Sequence, residues 1–259
     1  MAHELQHAIS DGIHFENPAV TDFESAWLDE ALSSLAEDNV GRAELGYSDL
    51  QTLSLTTMRN MDPNMFATFF GTNFERTQLY AQRPDTVGAV VTDDRVERDL
   101  AAFGAGWVFV RYTADWFSNG NPRTLTQALV ASVDTGTTNL TTQTGAPLDT
   151  LLAHWLVTMY TDGQHIPNLP AQYNYKTYNL RDIVSALCSG DCSDTTHSYL
   201  PVMAIGNGTN STLIGVPSTS ADYFITTQST GQLRTIRVLG TGGTASTDLN
   251  GRLYIVRVQ

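Results

Sequence analysis

The chain has 259 residues, and its 14 lysines and arginines face 27 aspartates and glutamates, a formal net charge of −13. That balance argues against a nucleic-acid partner and an anionic membrane surface, both of which need clustered cations. No run approaches the roughly 20 apolar residues of a spanning helix, and a hydrophobic share of 41% is that of a folded chain of one or two domains.

Residues 1–14 read as a helix that carries His3, Glu4, Leu5, Gln6 and His7 and ends near Gly12. Residues 15–21, with Pro18, read as a loop. Asp22 is the expected N-cap of a second helix running to about Asp38, because Phe23, Trp27, Ala31 and Leu35 recur at helical spacing. Residues 48–60 read as a further helix, and Pro63 to Phe70 as a short helix or aromatic loop. The pattern of Leu100, Phe103, Trp107, Val110, Arg111 and Ala114 predicts a long, mostly buried helix over 94–118. Helices are also expected over 123–133, 147–160 and 180–187, with a Pro- and aromatic-rich loop over 163–179.

After Ser198 the composition shifts to Thr, Ser, Gly and Val. Apolar residues alternate in Tyr223–Thr226, Leu233–Leu239 and Leu253–Val258, with turn-forming clusters between them. The expected fold class is therefore α+β: a helical body over 1–195, then a small antiparallel, sandwich-like β module over 196–259.

Cys188 and Cys192 flank Gly190 and Asp191, a pair that turns the chain, so a small local disulfide is expected; two free thiols are the alternative. A disulfide implies an oxidising compartment. The single lysine, Lys176, and the Thr-, Ser-, Asn- and Gly-rich composition accord with a secreted chain. Only Met1 and Ala2 precede His3, so any leader is expected upstream of this sequence. Asn207 and Asn210 each open an Asn-x-Thr/Ser sequon; a Gly/Asn turn is the plainer reading.

The segment His3-Glu4-Leu5-Gln6-His7 fits H-E-x-x-H. Residues i and i+4 share a helix face, so two imidazoles at that spacing can converge on one Zn²⁺. The glutamate beside the first histidine then flanks the metal, where it can take a proton from water. A helix with two surface histidines is the competing reading. A catalytic zinc site needs a third protein ligand. The metzincin spacing fails, because its glycine and histidine would fall on Ser10 and Ile13 while Gly12 and His14 are out of step. Asp11 is too close along the same rod. Glu30, on the following helix with Trp27, Ala31 and Ser34 as neighbours, has room to reach back, and an acid on a packed face needs a partner.

Residues His3 to Asp11 resemble the active-site helix of thermolysin-like gluzincin metallopeptidases. Asp29-Glu30-Ala31-Leu32-Ser33 resembles that family's Asn-Glu-Ala-x-Ser segment. With Trp27-Leu28 ahead and Leu35-Ala36-Glu37 behind, and the helix Gly106–Tyr112, the style is closest to the hyicolysin group. The match is good over 1–40 and weak over 100–118.

The resemblance implies a zinc peptidase acting on proteins or peptides, with His3, His7 and Glu30 as zinc ligands and Glu4 as general base and then proton donor. It also implies an aspartate one turn after the glutamate ligand. That position is Ser34, a departure for which Glu37 is a candidate substitute, a solvated helix-end charge being the other reading. The family's oxyanion-stabilising His or Tyr is sought among His165, Tyr112, Tyr47 and Tyr80, with His165 in the Gly163–Pro167 loop preferred. His154, His14 and His197 read as structural or loop residues. A zincin places a β-sheet ahead of the metal helix. The expectation is a chain that holds the ligands beside an incomplete cleft, or, alternatively, an inactive piece whose β module binds a surface, glycan or protein.

Overall fold

The computed structural model describes residues 1–91, 99–186, 199–206, 217–227, 229, 251 and 253–258. Helices dominate it: α1 (Ala2–Glu16), α2 (Ala26–Glu44), α3 (Leu55–Asn60), α4 (Pro63–Phe66), α5 (Thr72–Ala81), α6 (Leu100–Phe117), α7 (Pro122–Val130), α8 (Gly136–Thr144), α9 (Leu148–Thr161) and α10 (Leu180–Ala186). A π-helical turn, Ala67–Gly71, links α4 to α5, and a 3₁₀ turn spans Ala171–Tyr173.

α6 is the central rod. It is apolar nearly all round, with Ala101, Ala105, Trp107, Val108, Phe109 and Tyr112 each at most 1% exposed, as a helix enclosed by others must be. α5 and α2 pack on it, and α9 meets it through Trp155, whose ring lies 5.1 Å from that of Phe109. α1 packs on α2 and leaves a wide face in solvent, including Leu5, Ile9 and Phe15.

Several boundaries differ from expectation. α1 runs through Gly12 to Glu16 and brings His14, expected in a loop, into its last turn, where it is buried and neither ring nitrogen meets a partner among the described residues. The N-cap of α2 is Ser25 rather than Asp22; the Glu24 carboxylate accepts from the Ser25 N–H at 2.6 Å, and Phe23 stays exposed outside the helix. α2 continues past Asp38 and through Gly41, which lies against Phe69, where a Cβ would stand 2.5 Å from the Phe69 Cβ; the helix stops at Leu45 before the left-handed Gly46. Within 48–60 only Leu55–Asn60 is helical, since Leu53 instead bridges in extended form to Tyr178.

The β module requires a correction. The described strands, β1 (Met203–Ala204) and β2 (Phe224–Ile225), pair in parallel with Met203 opposite Phe224, not antiparallel. Among the described residues no sandwich forms, and 253–258 carry no strand. Residues 233–239, the 195/196 boundary, Cys188, Cys192, His197 and both sequons lie outside the described residues. Part of the described chain after 198 packs on the helices: Tyr199 and Leu200 are buried, and the Tyr223 hydroxyl donates to the Leu156 carbonyl at 2.8 Å, while Leu253, Tyr254 and Ile255 are exposed. No helix among the described residues is long and apolar enough to cross a membrane.

Candidate metal centre

α1 and α2 lie side by side, and their facing sides bring together His3, His7, Asp29, Glu30 and Ser33. On α1 the four-residue step stacks His3 and His7 on one face, ring centroids 4.8 Å apart at 76°. On α2, Glu30 sits between them: its Oε2 is 3.2 Å from His3 Nε2 and its Oε1 is 3.8 Å from His7 Nε2. One ligand atom from each of His3, His7 and Glu30 lies within 4.8 Å of the others. Tetrahedral zinc bonds of about 2.0–2.2 Å place ligand atoms about 3.3 Å apart. The two measured separations bracket that edge, and the donor set, two imidazole nitrogens and a carboxylate oxygen, suits zinc. The residues present fit the ion.

The far nitrogen of His7 is held as well. His7 Nδ1 is 2.6 Å from Asp29 Oδ2 and 3.2 Å from Ser33 Oγ. A carboxylate only accepts, so the contact puts a proton on Nδ1 and leaves Nε2, on the side of Glu30, as the nitrogen that a metal would take. Burial pushes the Asp29 carboxyl above its ordinary range, with the His7 imidazole pulling the other way and Asp11 and Glu30 adding to the rise. Ser34, where the resembled family has an aspartate, is buried, and its hydroxyl meets no partner among the described residues. Glu37 makes no hydrogen bond to either histidine among the described residues. Half-burial raises its pKa, and the His3 imidazole partly offsets that rise.

Glu4, one residue along from His3, is exposed in the first turn of α1. His165 is not brought to the cluster. It is exposed in a left-handed conformation (φ 52°) in the loop after α9. That loop is tied locally: the Gly163 N–H donates to Asn174 Oδ1, and the Gln164 side chain to the Tyr160 carbonyl. Tyr112 and Tyr80 are core residues. The Tyr112 hydroxyl donates to the Gln172 carbonyl at 2.8 Å, the Tyr80 ring stacks 5.7 Å from Trp155, and burial pushes both phenols above their ordinary range. Tyr47 packs, partly buried, against the core. His154 packs edge-on to Tyr173 at 5.5 Å, a structural place.

Asp29 is the residue that sequence reasoning passed over. Its one signal was position: it directly precedes the glutamate ligand, where the resembled family has asparagine. No protein-family model, curated protein or solved structure matches the chain.

Proposed function

We propose that this chain is a zinc-dependent peptidase that hydrolyses protein or peptide substrates, and the observation that carries the reading is the convergence of His3, His7 and Glu30 from two adjacent helices. The three side chains would hold the ion in a neutral-imidazole and carboxylate set. Bound zinc would supply Lewis acidity toward the scissile carbonyl and the attacking water. Glu4, exposed next in sequence to the ligand His3, takes a proton from the water as its oxygen adds to the carbonyl carbon. It returns that proton to the amine as the C–N bond breaks, leaving a carboxylic acid, which keeps the water's second proton until it ionises, and an amine. His165 is outside the group of side chains that converges on the site, and no step is assigned to it. The lysine-poor composition and the cysteine pair extend the reading to a secreted enzyme.

One observation favours a second reading, a metal-holding but inactive unit whose segment after 198 serves binding. The face of α1 beyond the ligands exposes Leu5 (58%), Ile9 (45%) and Phe15 (84%), and no strand lies beside the site among the described residues. A zincin-type cleft needs a strand edge there to pair with substrate backbone.

Metal analysis and casein hydrolysis, run together, separate the readings. Stoichiometric zinc that falls sharply in Glu30→Gln supports the ligand set, and unchanged zinc rejects it. Casein cleavage that disappears in Glu4→Ala supports the peptidase. Zinc without cleavage supports the second reading.

A further inference from the structure

We propose that Asp29 is the positioning residue of this centre: its carboxylate, rather than one placed a turn after the glutamate ligand, fixes the ring of His7 with Nε2 toward the metal. The inference rests on the zinc-site reading above and concerns how that site is held. The 2.6 Å contact from His7 Nδ1 to Asp29 Oδ2 is shorter than the separations of Glu30 from the two imidazoles, 3.2 and 3.8 Å. Charge-assisted N–H···O bonds run at about 2.7–2.9 Å, so this contact sits at their short end, and a carboxylate on the far nitrogen of a metal-binding histidine fixes its tautomer and raises its basicity.

Ser33 reinforces the geometry. It lies one helical turn after Asp29, is fully buried, and sets its Oγ 3.2 Å from the same Nδ1. The ring is thus bracketed by two side chains of α2 while a third, Glu30, faces its other nitrogen at 3.8 Å. Ser34, one turn after Glu30, offers no such hold: its hydroxyl is buried without a partner among the described residues. The arrangement is also one-sided. Among the described residues no carboxylate oxygen is hydrogen-bonded to His3 except that of Glu30 itself, and Glu37 feels the His3 imidazole through its charge. Fixing His7 is therefore the part of preorganisation that the protein supplies by a side-chain bond.

Zinc affinity by chelator competition, together with the nitrogen-15 signature of the histidine rings, tests this on the full chain. Wild type should show His7 as the Nδ1–H tautomer with a slowly exchanging ring proton. Asp29→Ala should weaken zinc by about 10- to 100-fold and lose that protected proton. Asp29→Asn, which keeps shape and an acceptor oxygen but not charge, should fall between. A merely structural role for Asp29 would leave the His7 tautomer and proton protection unchanged. Zinc affinity within about twofold of wild type in Asp29→Ala, with the His7 signature intact and Glu30→Gln still losing zinc, overturns the positioning role alone. A wild type that takes up no zinc overturns the site reading and this inference with it.

Discussion

The carboxyl of Asp162 is 2% exposed and accepts from the backbone N–H groups of Tyr175, Leu180 and Arg181 at 2.9, 2.8 and 3.3 Å. It thereby closes the start of α10 and fastens the loop before it. Burial pushes its pKa up to about 6, against the pull of those bonds. An unfolded aspartate titrates near 3.9. Between about pH 4 and pH 6 the folded chain therefore binds more protons than the unfolded one, and this group's contribution to stability falls as pH rises through that window. Asp162→Asn removes the titration. In urea melts from pH 4 to pH 7, the stability of wild type relative to Asp162→Asn should decline by up to about 3 kcal/mol as pH rises. A difference that stays level across the window would reject the assignment. Site residues differ in how legible they were from sequence. His3, His7 and Glu30 were readable because helical spacing alone puts the histidines together and a packed glutamate demands a partner. Asp29 was not, because its neighbour Glu30 already accounted for an acid at that place. Only the pairing of α1 with α2 shows that both carboxylates face the histidines.

At the scale of elements, helix crossings depend on where a side chain is missing. α5 and α6 make the closest crossing at Gly104, where a Cβ would stand 2.2 Å from the Arg76 carbonyl oxygen. The obstacle is backbone, so no side-chain rotation relieves it. Gly104→Ala must push two buried helices apart, at a cost of about 1–3 kcal/mol. Gly12→Ala, with nothing within 4 Å of the added carbon, is the control and should be neutral or gain up to about 1 kcal/mol of helix propensity. Chemical denaturation of the two variants measures the contrast, and equal stability would mean that the crossing yields without strain. The long helices were legible from their apolar period, α6 above all. α8 was not, because Gly136, Thr137, Thr138 and Asn139 are poor helix formers with a weak pattern. It is held from outside: Glu24 accepts from the Gly136 N–H and from the Asn139 side chain at 2.7 Å. The strand pattern after 198 misled for the opposite reason. Alternation marks a half-buried strand but carries no information about strand direction, and β1 and β2 pair in parallel.

Across the whole molecule, one buried ionic network holds the helix that carries the candidate centre. Asp38, Arg42, Arg111 and Asp115 are each at most 1% exposed, two charges of each sign. Asp38 accepts from Arg42 Nε at 2.8 Å, from Arg111 at 3.5 Å and from the hydroxyl of Tyr178, which lies 140 positions away in the chain. Arg42 also donates to the carbonyls of Gln51 and Thr177 at 2.9 and 3.0 Å. Asp115, whose pKa burial raises against the pull of Arg111, accepts from the backbone of Lys176 and Thr177. The network thus joins α2, α6 and the segment 175–178. Burying these charges is costly, so the set gives uncertain net stability, but removing one member strands the others. Asp38→Ala leaves Arg42 and Arg111 sharing one acid and should cost about 3–5 kcal/mol. The exposed pair of Arg123 with Asp49 provides the comparison, and Arg123→Ala should cost less than about 1 kcal/mol. Because α2 carries Asp29 and Glu30 two to three turns before Asp38, the loss should reach the centre only through global unfolding. Under native conditions, well below the denaturation midpoint, Asp38→Ala should then keep its zinc affinity. Urea titration followed by zinc competition tests both parts. A variant that stays as stable as Arg123→Ala would show that the network does not tie the helices, and a variant that stays folded but loses zinc would show that it also sets the register of α2 against α1.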